Sequence, residues 1–92
     1  MKITFDPAKR DSTLSEPGLD FLDAAEVFGG RTATLTDDRY DYGEVRFQTH
    51  GFLNGRVVVI VWTPRGDTRH IISMRYCHER ESRKAIARMD RS

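Results

Sequence analysis

The chain has only one cysteine, Cys77, so it closes no internal disulfide and builds none of the Cys-rich zinc patterns. A reducing cytoplasm is the expected compartment. Long apolar runs are also missing. The longest, residues 57–62 (VVVIVW), falls far short of the ~20 residues that span a bilayer, so no membrane partner is expected. No apolar stretch follows Lys2, so no signal peptide is read there. His50, His70 and His78 lack the close pairing of zinc ligands, and the sequence argues against a metal site. Neither G-x-G-x-x-G nor a P-loop occurs, so Gly29-Gly30 reads as a helix stop and no cofactor is expected.

Acid is absent from residues 45–66, and the charge is uneven throughout. Residues 1–44 hold 5 Lys/Arg and 10 Asp/Glu, whereas residues 45–92 hold 10 and 4. The overall net charge of +1 hides this split. All three histidines lie in the basic half. Such asymmetry fits a polyanion on one side, or two halves that neutralise each other in the fold. Ninety-two residues make one domain, and 38% hydrophobic with 32% charged content suits a globular one.

Residues 2–5 alternate as a short strand. Asp6-Pro7 is a helix start, with Asp as N-cap and Pro at the first helical position, and Pro17-Gly18 stops that helix. Phe21, Ala24, Ala25 and Phe28 give a second helix an apolar face. The period then turns to alternation, and strands are expected at residues 31–36, 44–51, 56–63 and 68–75. Asn54-Gly55 marks a tight hairpin, and the β-branched run before Thr63 reads as a central strand covered on both sides. A last helix over residues 77–90 turns Ser82, Ala85, Ile86 and Met89 inward and Arg80, Lys84, Arg88 and Arg91 outward. The order is β-α-α-β-β-β-β-α. It predicts an α+β fold with a mainly antiparallel sheet packed by helices, the first strand at an edge.

Residues 67–81, DTRHIISMRYCHERE, carry the densest chemistry. Metal-free RNA cleavage needs a base for the 2′-OH, a partner for the charged phosphorane and an acid for the leaving oxygen. Arginine offers a forked donor set for phosphate, and histidine titrates near neutrality. Arg69, His70, Arg75 and His78, with Arg46 and His50 on a neighbouring strand, can fill these roles. Tyr76 can stack on a base, and Glu44 can act as a base. Strict alternation puts Arg69, Ile71, Ser73 and Arg75 on one face and His70, Ile72 and Met74 on the other. Arg75 and His70 therefore meet only if a bulge turns one of them. Each residue also has a plainer reading. His70 can be a structural histidine, Arg69 a solvated strand residue and Arg80, Lys84 and Arg88 a wet helix face. Tyr40 and Tyr42 are expected to pack over the sheet.

FDPAK, DFLDAAEVF, DDRYDYGEVRF, GR before a β-branched run, T-x-RGD and IISMR leading into an RE-containing helix occur in this order. Over about residues 5–83 the chain thereby resembles the BrnT family, toxins of type II toxin–antitoxin pairs. The resemblance implies a RelE-like fold and a translation-blocking ribonuclease. It implies a BrnA-type ribbon-helix-helix antitoxin that silences the toxin and carries the complex to promoter DNA. Lys9, Arg46 and Arg75, with Glu44 and Glu81, are the functional positions it carries over. The chain departs from the family at Glu16-Pro17-Gly18, where Lys-His-Gly is usual, and at His70, where Arg is usual. It departs again at Tyr76, where the family is basic, and at Ala85, where Tyr is common.

The combined expectation is a metal-independent RNA endonuclease toxin of one domain. Arg75, His70, Arg46 and Glu44 are its catalytic set, and Lys9, Arg69, Tyr76, Arg80 and Lys84 bind RNA. A dimeric antitoxin implies a two-fold heterotetramer. The competing reading is a non-catalytic module, or a decayed toxin, whose basic half binds an antitoxin or nucleic acid.

Overall fold

The computed structural model describes residues 2–91. Strand β1 (Lys2–Phe5) leads into helix α1 (Pro7–Ser15). A 3-10 turn (Phe21–Asp23) opens helix α2 (Ala24–Gly29). Strands β2 (Thr32–Thr36), β3 (Phe47–Leu53), β4 (Arg56–Arg65) and β5 (Thr68–Tyr76) follow, and helix α3 (Glu79–Arg91) closes the chain. The protein is α+β, with a five-stranded mixed sheet in the order β1-β5-β4-β3-β2. β1 is parallel to β5 at one edge, and the other neighbours are antiparallel.

Local chemistry accounts for most of these elements. The Asp6 side chain accepts the Ala8 N–H at 2.9 Å, and Pro7 has no amide to orphan in the first turn. Asn54 (φ 54°) and Gly55 (φ 75°) both adopt the left-handed conformation that a two-residue hairpin loop needs. A Cβ on Gly51 would lie 2.6 Å from Val27 Cγ1, so the glycine lets α2 settle directly on β3.

The sheet has two unlike faces. On one, Val58, Ile60, Trp62, Ile71 and Met74 pack against Phe21, Ala24 and Val27. A polar network is buried within it: Trp62 Nε1–H donates to Thr49 Oγ1 at 2.8 Å, and Thr34 and Thr49 share a 2.9 Å bond. On the other face, Val57, Val59 and Cys77 pack against Ala85 and Met89 of α3. β4 is buried from Val57 to Thr63, as its β-branched run predicts.

Four expectations need correction. The second helix begins as a 3-10 turn, whose three-residue repeat buries Phe21, Ala24 and Val27 and leaves Ala25 exposed. The strand expected from residue 44 starts at Phe47, because residues 44–46 belong to the preceding loop, pinned where Val45 O accepts Thr63 Oγ1–H at 2.6 Å. β4 runs on through Pro64, which lies beyond the end of β3, so its missing N–H breaks no ladder. Cys77 extends the β5 pairing, its N–H bonding Val57 O at 3.0 Å, and α3 starts only at Glu79.

Candidate active site

The register of β4 against β5 slips between Val61 and Trp62, which pair with Ser73 and Ile71. Ile72 is the extra residue of a β-bulge. The bulge overturns the strict alternation expected of β5. Ile71 and Met74 both enter the core beneath α2, and His70, Ser73 and Arg75 all share the α3 face. At ~3.3 Å per residue, the His70 and Arg75 backbones lie roughly 16 Å apart. Among the described residues no hydrogen bond joins their side chains.

Each of these residues sits in its own cluster. His50 on β3, Val59 on β4 and Arg75 on β5 lie side by side in the sheet. Glu81, from the first turn of α3, reaches into this row. Its carboxylate accepts both arms of the Arg75 guanidinium, at 2.7 and 2.8 Å, and lies 3.9 Å from His50 Nε2. The Glu81 N–H donates to His78 Nδ1 at 3.2 Å, which helps to hold the start of α3. The bond to Arg75 draws the Glu81 carboxyl down to about 2. Burial lowers the His50 pKa, against the pull of Glu81, and so favours a neutral ring. Burial also pushes the Cys77 thiol up to about 12, and adjacent Glu81 adds to the effect. Next to this row a cleft of about 320 Å³ is walled by Gln48 and His50 from the sheet and by Arg80, Lys84 and Arg88 from α3.

The second cluster surrounds His70. Its Nδ1 and Thr4 Oγ1 lie 2.9 Å apart, which leaves Nε2 without a bond among the described residues. Burial lowers its pKa first, then the positive field of Arg65, with Glu44 pulling the other way and Lys9 adding a further positive charge. Glu44 lies 3.2 Å from Arg46 Nε and 4.0 Å from Arg65. The Arg46 guanidinium stacks on Tyr42 at 3.9 Å.

The loop at residues 37–46 bridges the two clusters. Buried Asp37 holds Arg39 through two bonds, at 2.7 and 2.8 Å, and the field of Arg39 is felt at Arg75. Tyr40 is 72% exposed, so it does not pack over the sheet as expected.

Of the predicted site residues, Arg75, Arg80 and Lys84 gather around Glu81 and the cleft, and His70, Arg46, Glu44 and Lys9 form the second group. Arg69 and Tyr76 lie on the opposite face. The Arg69 guanidinium rests 4.0 Å over Phe28 and 5.2 Å from Trp62, and Arg56 covers the Tyr76 ring at 3.9 Å. Gln48 and Arg39 were not singled out from sequence. Gln48 does alternate with His50, but only the pairing through Val61 and Val59 brings that strand beside β5.

A family model described as the ribonuclease toxin BrnT of type II toxin–antitoxin systems matches residues 5–81. The chain belongs to the BrnT family. No curated protein matches it. BrnT membership makes the chain a ribonuclease toxin with an antitoxin partner. The matched span contains both clusters and ends at Glu81, on the first turn of α3. Among the described residues no helix is long and apolar enough to cross a membrane.

Proposed function

We propose that this protein is a cytoplasmic, single-domain, RelE-like endoribonuclease that blocks translation by cutting RNA without a metal cofactor. A BrnA-type ribbon-helix-helix antitoxin silences it, in a heterotetramer built on the antitoxin dimer, and promoter DNA is reached only through that antitoxin. The observation that carries the reading is the forked Arg75 guanidinium beside a cleft lined by further cations. An arginine fork that fits a carboxylate also fits two phosphate oxygens.

RNA would run from the Arg80 and Lys84 side of the cleft, past Arg75 and Arg39, to Arg46 and His70. Glu81 holds the Arg75 fork in shape until phosphate takes its place. His70, neutral at physiological pH, accepts the 2′-OH proton at Nε2 as that oxygen attacks phosphorus. The P–O5′ bond breaks, leaving a 2′,3′-cyclic phosphate, and the 5′-oxygen takes a proton from solvent. Arg75 and Arg46 stabilise the charge that builds on the phosphorane, and Glu44 orients Arg46. Lys9 supports the neutral His70 ring from α1. Arg69 and Tyr76 would meet RNA only if it wrapped around to the other face.

The competing reading, a binding module without catalysis, draws support from the bidentate Glu81, which already fills the Arg75 fork. Induced expression with mapping of cellular 5′ ends separates the two. Growth arrest with new RNA ends, both lost in Arg75→Ala and reduced in His70→Ala, is the expected result. Salt-sensitive RNA binding by a folded protein that makes no new ends would overturn it.

A further inference from the structure

His50, Cys77 and Glu81 come from three parts of the chain: β3, the residue after β5 and the first turn of α3. One ligand atom of each lies within 4.8 Å of the others, and His50 and Cys77 are buried. Two of the three are held firmly. The Cys77 amide is bonded to Val57 O at 3.0 Å, and His50 sits in the middle of a paired strand. The Glu81 carboxylate is held instead by the Arg75 fork. His50 Nδ1 is buried with no hydrogen-bond partner, an uncommon state that an ordinary structural histidine avoids.

We infer that His50, Cys77 and Glu81 form a zinc-binding site that competes with Arg75 for the Glu81 carboxylate. The donor set of one imidazole nitrogen, one thiolate sulfur and one carboxylate oxygen suits a borderline-soft ion. It is a poor cage for calcium or magnesium, which want several oxygens. Metal–ligand bonds of about 2.0–2.3 Å place tetrahedral ligand atoms roughly 3.5 Å apart. The ligand atoms already lie within 4.8 Å of one another, so no pair needs to close by more than about 1.3 Å. His50 and Glu81 line the cleft, so water there can supply a fourth ligand. Zinc displaces the Cys77 proton to solvent, and the resulting thiolate and the carboxylate together balance the charge of the ion. Glu81 cannot serve both the ion and the Arg75 fork, so each weakens the other's hold. Zinc on this site therefore releases the Arg75 fork.

The test uses the purified full chain and needs no nuclease assay, so its failure and that of the nuclease reading are distinguishable. Cobalt(II), a spectroscopic stand-in for zinc, is titrated into wild type, Cys77→Ser, His50→Asn and Arg75→Ala. Circular dichroism without metal checks that each is folded. Wild type should take up one equivalent, with a thiolate-to-cobalt charge-transfer band that zinc bleaches. Cys77→Ser should lose the band, and His50→Asn should weaken binding at least tenfold. Arg75→Ala should bind more tightly, because the competitor for Glu81 is gone. A folded wild type with no thiolate band, or zinc affinity unchanged in Cys77→Ser, would overturn the site. Unchanged affinity in Arg75→Ala would overturn the competition.

Discussion

The two faces of the sheet share the same strands and differ in what covers them. Beneath α2, every second residue of β4 is buried in the main core: Val58, Ile60 and Trp62 meet Phe21, Ala24, Val27 and Leu19. Beneath α3, the alternate residues Val57 and Val59 meet Ala85 and Met89 of the helix. The second face leaves buried His50 beside the partly exposed ion pair of Arg75 and Glu81. The contrast shows how one central strand serves stability on one side and a polar site on the other.

The sharpest way to break this contrast is to remove one residue from each face. Ile60→Ala opens a cavity under α2 and should cost about 2–5 kcal/mol, read from chemical denaturation. A loss near the top of that range would leave little of the fold in so short a chain. Arg75→Ala should leave the fold in place but lower RNA cleavage by roughly 10²–10³-fold, as removing a transition-state donor does. If Arg75→Ala unfolded the protein as badly as Ile60→Ala, the division between the faces would fail.

Smaller changes sharpen the picture. Thr49→Val leaves the Trp62 Nε1–H buried without an acceptor and should cost about 1–3 kcal/mol by the same denaturation readout. Acid should act mainly on the charged contacts. Glu81 is drawn from its ordinary 4.5 to about 2 in the folded chain, so it binds fewer protons folded than unfolded near pH 3–4. Its stabilisation is complete above about pH 4.5 and is lost as pH falls towards about 2. Asp20 and Asp37, lowered chiefly by Arg10 and Arg39, shift the same way. Glu81→Gln should therefore flatten the acid limb of a thermal-melt series, and an unchanged limb would shift the weight to Asp20 and Asp37. The smallest effect belongs at the N-cap of α1, where Asp6→Ala should cost about 1 kcal/mol.

Much of the fold was legible because its causes are local. The Asp6-Pro7 cap, the Asn54-Gly55 turn, the β-branched centre of β4 and the apolar stripe of α3 depend on residues near each other in the chain. The errors had non-local causes. Nothing near Ile72 announces a bulge, which arises where β5 must match β4 around Trp62. Nothing in the spacing of three scattered histidines says that His50 will face Glu81, and His70 will face Thr4.

The sequence by itself determined the elements, their order, the basic second half and the family resemblance. These follow from periodicity, turn residues and motif order, which are properties of adjacent positions. Tertiary structure decided that Arg75 and His70 share a face, that Arg69 and Tyr76 lie on the other, and that Glu81 closes on Arg75. Those outcomes hang on strand register, where a one-residue slip carries a side chain to the opposite face. Register is settled only when all the strands and helices pack at once.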